Sequence, residues 1–113
     1  MLNYYQTDGN QFMDNIGVTG AKGYIGGILC KLMRIPENRQ YDLPEHDVTK
    51  PEIVKKIADE CEVVIHLAGL SGIAACEGNR DEAFKVNSES VLMMVEALAS
   101  KGGKVILAEY SVN

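Results

Sequence analysis

No apolar run in this 113-residue chain approaches the roughly 18 residues that cross a bilayer, so no membrane span is expected. A basic excess is missing too. Lys plus Arg number 11 against 16 Asp plus Glu, a net charge of −5. That balance argues against a dedicated nucleic-acid binder, which presents a basic face. It leaves a phosphate ligand open, because backbone N–H groups hold one without Lys or Arg. Cysteine is scarce. Cys30, Cys61 and Cys76 are an odd number without C-x-x-C spacing, so a disulfide framework is not expected and a reducing, cytoplasmic setting fits. Met1–Asp14 is polar and carries Asp8 and Asp14, which is wrong for a signal peptide. There is no internal repeat and no low-complexity tract.

What is present is one domain's worth of sequence. Apolar residues make up 46% and charged residues 24%, ordinary globular usage that argues against intrinsic disorder. We read residues 1–14 as a loose tail and 15–113 as the domain. Ile16–Thr19 reads as a short strand ending in Gly20. Ile25, Ile28, Leu29, Leu32 and Met33 recur at helical spacing, and Pro36 and Asn38 end that helix. Arg39–Leu43 reads as a brief strand. Thr49 before Lys50 and Pro51 reads as a helix N-cap, with Ile53, Val54, Ile57 and Ala58 as the apolar stripe. Glu62–Leu67 holds Val63, Val64 and Ile65, a β-branched run without polar alternation that suits a buried parallel strand. Ala68–Gly72 is a small-residue loop. A long helix from Asp81 to about Lys101 places Ala83, Phe84, Val91, Leu92, Val95 and Leu98 inside, with Gly102–Gly103 as its cap. Val105–Ala108 is the last strand. Alternating strands and helices predict an α/β fold, a Rossmann-type open parallel sheet of three or four strands flanked by helices.

The strongest chemical signal is Val18-Thr19-Gly20-Ala21-Lys22-Gly23-Tyr24-Ile25-Gly26. Three glycines at G-x-x-G-x-x-G spacing follow a strand and open a helix. Such glycines allow a tight turn and remove Cβ atoms where a diphosphate approaches the backbone. The helix then directs free N–H groups and its positive dipole end at the anion. Gly20, Ala21, Lys22, Gly23, Tyr24, Ile25 and Gly26 are therefore the candidate cofactor loop. A plain βα turn with surplus glycine is the bland alternative.

This loop resembles that of the NAD-dependent epimerase/dehydratase family, in the extended short-chain dehydrogenase/reductase superfamily, which includes nucleotide-sugar epimerases, dehydratases and dTDP-4-dehydrorhamnose reductases. Three more segments are similar, in the same order. His46-Asp47-Val48-Thr49 looks like the family's D-[VIL]-[TR]-D segment, which implies that Asp47, with Val48, meets the adenine. Val63-Val64-Ile65-His66-Leu67-Ala68-Gly69 looks like its V-[IV]-H-x-A-[AG] strand, which implies that Leu67, Ala68 and Gly69 line the cofactor. Val86-Asn87 looks like its V-N-x-x-[GS]-[ST] helix; Asn87 joins the candidate set as a tie between that helix and strand backbone. His66, inside an apolar strand, reads as a satisfied buried histidine, and Ser71 and Ser88 as ordinary polar positions. The resemblance runs from about Ile16 to the last residue.

An acid about 20 residues after such a loop accepts a hydrogen bond from the adenosine ribose 2′-OH and repels a 2′-phosphate. Asp42 is the candidate, with Glu45 and Glu37 as rivals, and it favours NAD. Arg34 and Arg39 lie nearby and favour NADP, which stays open. The stretch from Gly26 to Asp47 is short for the superfamily, so one strand there is expected to be stunted or missing. The family's catalytic Tyr-x-x-x-Lys pair occurs nowhere in the chain. Its catalytic Ser/Thr would fall on Glu109 or Tyr110, with Ser111 a late stand-in. No metal ligands are evident.

The expectation is an NAD(P)-binding half-domain resembling the N-terminal part of a nucleotide-sugar epimerase, dehydratase or reductase. It is incomplete relative to the family, not catalytic alone, and takes a nucleotide sugar only in a full-length form. A non-catalytic dinucleotide-sensing or partner-binding module is the alternative. Self-association through an exposed sheet edge is expected.

Overall fold

The computed structural model describes residues 15–68 and 80–107. The elements follow as β1 (Ile16–Thr19), α1 (Tyr24–Met33), a 3-10 turn (Glu37–Arg39), β2 (Gln40–Tyr41), α2 (Pro51–Glu60), β3 (Val63–His66), α3 (Arg80–Ala99) and β4 (Lys104–Leu107). The four strands form one sheet in the order β2-β1-β3-β4. Every pairing is parallel: Val18 lies opposite Gln40 and Ile65, and Ile65 opposite Ile106. This is the Rossmann-type architecture expected. No described helix is long and apolar enough to cross a membrane.

Both faces of the sheet are covered, which explains why β1 and β3 read as continuous apolar runs. On one face α1 closes over Ile16, Val18, Ala21, Cys30, Ile35, Ile65 and Leu67. On the other, α2 and α3 meet over Tyr41, Val54, Ile57, Cys61, Val64, Met94 and Leu98. Gly17 permits this second core, since a Cβ there would lie 2.5 Å from Cys61 Sγ and 2.9 Å from the Tyr41 ring. Tyr41 donates its hydroxyl proton to Glu60 at 2.7 Å. Burial, with its Cys61 and Glu60 partners, holds the phenol far above its ordinary range. Burial likewise pushes up the Cys30 and Cys61 thiols, both free.

Five local expectations are corrected. The strand expected over Arg39–Leu43 is only Gln40–Tyr41, because Glu37–Arg39 winds into a 3-10 turn. The N-cap of α2 is Lys50, not Thr49. Thr49 instead gives its N–H and its hydroxyl proton to Asp47 Oδ1, at 3.0 and 2.7 Å. The first helix stops before Pro36: Arg34 takes a left-handed conformation (φ 55°) and Ile35 N–H returns to Cys30 O at 2.9 Å. The inward residues of α1 are Gly26 and Cys30 with Leu29 and Met33, while Ile25, Ile28 and Leu32 are exposed. Similarly, α3 turns Ser90, Met94 and Leu98 inward and leaves Leu92 and Val95 exposed. Its end is capped where expected, by Gly102 at φ 78° and by Gly103 N–H on Leu98 O at 2.8 Å. Residues 1–14, Cys76, Ser71 and Ala108 lie outside the described residues.

Candidate functional site

In an open parallel sheet the ligand crevice lies at the carboxyl ends of the strands, where connections leave in opposite directions. Here β1 is flanked by β2 on one side and β3 on the other, so that point falls between β1 and β3. The glycine loop leaves β1 there. Gly20 has φ +70°, and a Cβ on it would press on the Leu67–Ala68 backbone at 2.9–3.1 Å. Gly26 is more tightly constrained, since a Cβ would fall 2.1 Å from Gly20 O. These two glycines let the loop fold on itself. Gly23 differs: its φ of −70° suits any residue, and a Cβ there would meet only Gly20 O, at 3.3 Å, among the described residues. Its missing side chain thus leaves open space above the start of α1. Among the described residues no side chain caps that start, and no acid lies in its first turn, so the Tyr24, Ile25 and Gly26 N–H groups and the positive end of the helix dipole are presented to an anion.

Thr19 builds the opposite wall. Its hydroxyl oxygen accepts from Leu67 N–H at 3.0 Å and from Ala68 N–H at 3.1 Å. With both lone pairs taken, its proton goes to His66 Nδ1, 2.7 Å away. That places the imidazole proton on Nε2, which is buried and has no hydrogen-bond partner among the described residues. His66 is therefore satisfied at one nitrogen only. Burial lowers its pKa to about 4, so it is neutral at physiological pH.

A cavity of about 300 Å³ lies between the loop and the turn after β2, lined by Lys22, Glu37, Gln40, Asp42, Glu45 and His46. Asp42 stands at the end of β2, as expected for a ribose acid. It also ties the loop down, accepting Lys22 N–H at 2.7 Å and Leu43 N–H at 2.8 Å. One lone pair remains on each oxygen for a ligand. Asp47 Oδ1 is taken by Thr49, whose side-chain and backbone hydrogen bonds hold the carboxyl below its ordinary range. Val48 O accepts from the buried Ser90 hydroxyl at 3.0 Å, which docks α3 on this turn.

The structure thus brings Gly20, Ala21, Lys22, Gly23, Asp42, Leu67 and Ala68 together at one end of the sheet, with Asp47 and Val48 on the adjoining turn. Asn87 sits half-buried on α3. Gly69, Glu109, Tyr110 and Ser111 lie outside the described residues. Thr19 and Ser90 are site-building residues that sequence reading missed. Thr19 precedes the first glycine directly and could have been noticed; nothing in the local pattern marks Ser90. Among the described residues no group of three or more His, Cys, Asp or Glu is arranged to hold a metal.

A family model described as the RmlD substrate binding domain matches residues 13–111. No curated protein and no solved structure matches the chain.

Proposed function

The chain belongs to the RmlD substrate binding domain family, within the extended short-chain dehydrogenase/reductase superfamily, and on that footing we propose that it is the NAD-binding part of a nucleotide-sugar reductase. The observation that carries the reading is the open face of Gly23 above an uncapped helix start, at the switch point of the sheet. Gly20, Gly23 and the first N–H groups of α1 would hold the diphosphate. Asp42 would accept from the adenosine ribose, Asp47 and Val48 would face the adenine, and Leu67, Ala68 and Gly69 would line the nicotinamide half, with Asn87 supporting that edge. The cofactor supplies hydride chemistry when bound. The chain's own part is to bind and orient it.

The substrate class proposed is a nucleotide sugar. Ligand that binds only the folded chain stabilises it, so NADH at about 100 times its Kd is expected to raise Tm by roughly 10 °C. No shift with NADH or NADPH in a chain that melts cooperatively would leave a plain structural α/β domain and end this reading.

A further inference from the structure

Lys22 is fastened to the turn after β2 at three points. Its N–H donates to Asp42 at 2.7 Å, its ammonium donates to Leu43 O at 3.2 Å, and the same ammonium lies 3.8 Å from Glu45. Lys22 is also the only ammonium among the described residues lining the 300 Å³ cavity, which it shares with the carboxylates of Glu37, Asp42 and Glu45. Resting on the dinucleotide reading above, we propose that Glu45 is a specificity-determining residue: by engaging Lys22 it withholds the pocket's ammonium from a 2′-phosphate, so that the site takes NAD and refuses NADP.

A 2′-phosphate carries close to two negative charges. Entering this cavity it meets three carboxylates, and the cation that would neutralise it is already partnered. A 2′-hydroxyl meets no such penalty, because Asp42 keeps acceptor capacity on both oxygens. Asp42 alone does not settle the selection, since its carboxylate is also committed to the Lys22 and Leu43 amides. Glu45 acts twice, as a repelling charge and as the partner that occupies Lys22. Both side chains of that pair are about two-thirds exposed, at 66% and 63%. Such a pair is weak and screened by salt, so Lys22 is releasable once the Glu45 charge is gone. An ammonium freed in this way binds phosphate as a point charge.

The test titrates NADH and NADPH into the full chain, following nicotinamide fluorescence, for wild type, Glu45→Gln and the double variant Lys22→Met/Glu45→Gln. Wild type is expected to prefer NADH. Glu45→Gln shifts the ratio of the two Kd values toward NADPH by about tenfold at low salt, and the gain shrinks as ionic strength rises. Adding Lys22→Met removes most of the gain and leaves only the part owed to the lost repelling charge. A ratio unmoved by Glu45→Gln while NADH still binds overturns the inference and leaves the dinucleotide reading standing. A gain that survives undiminished in the double variant also overturns it, because Lys22 would then not be the phosphate partner. Failure of wild type to bind either nucleotide overturns the dinucleotide reading and the inference with it.

Discussion

The three loop glycines are interchangeable as letters but not as positions. A methyl at Gly26 would sit 2.1 Å from Gly20 O, whereas one at Gly23 meets a single atom at 3.3 Å. Gly26→Ala is therefore expected to cost about 2–3 kcal/mol through overpacking, and Gly23→Ala well under half of that, by urea unfolding. His66 provides a pH signature. Its pKa falls from 6.5 in the unfolded chain to about 4 in the fold, so the unfolded state binds more protons between those values. Stability is complete above pH 6.5 and is lost as pH falls toward 4, by up to about 3 kcal/mol. Urea midpoints at pH 7 and pH 5 read this directly, and His66→Asn should remove most of the difference. An unchanged midpoint between those pH values would mean that the imidazole is not buried as described. The burial of His66 was legible from its place in an apolar strand; the rest was not. The loop spacing identifies three glycines without ranking them, and the Thr19–His66 bond joins residues 47 apart.

Among the elements, β1 and β3 are fastened at their carboxyl ends by one hydroxyl. Thr19→Val keeps the shape but strands the Ala68 N–H group and the His66 nitrogen, and leaves Leu67 N–H only its longer bond to Thr19 O at 3.3 Å. A loss of about 2–3 kcal/mol is expected, with faster amide hydrogen exchange at Leu67 and Ala68; protection equal to wild type there would contradict the tie. The element order, the parallel sheet and the interior of α2 are legible in the sequence because each rests on local signals. Those signals are a β-branched run, a 3.6-residue stripe and Pro51 at a helix start. The failures are tertiary. Apolar spacing along α1 includes Ile25, Ile28 and Leu32, yet the face that meets the sheet is chosen by Gly26 and Cys30, which allow close approach. Thr49 has the chemistry of an N-cap but is drawn to Asp47. The second strand is short because the turn before it and the Asp42 clasp after it consume its residues. For the site, the loop and Asp42 follow from motif and spacing. The Lys22 clasp depends on contacts 20 and 21 residues apart that no motif records.

At the scale of the whole molecule, β4 forms one edge of the described sheet, with Ile106 and Leu107 half-exposed on it. Exposed strand edges and apolar patches promote pairing with a second copy. The chain is expected to self-associate in sedimentation experiments at high concentration, and Ile106→Lys to shift it toward monomer. A monodisperse wild-type monomer would refute this. The chain is also expected to perform no hydride transfer to a nucleotide sugar by itself. No Tyr in it has a Lys four residues on, and an unassisted Tyr of pKa about 10 is under ~1% phenolate at neutral pH. Tyr41 is further from that role, being buried and bonded to Glu60. Oxidation of NADH in the presence of nucleotide sugars, above background and lost in Gly23→Val, would contradict this expectation.

The central claim is that a dinucleotide diphosphate lies across Gly23 at the start of α1. Calorimetric titration of NADH into wild type and Gly23→Val tests it most directly, because the φ of −70° at Gly23 lets valine enter without backbone strain and the variant can be checked for native circular dichroism. Binding by wild type and none by a folded Gly23→Val protein is the predicted result. Equal NADH affinity in the two folded proteins would contradict the claim.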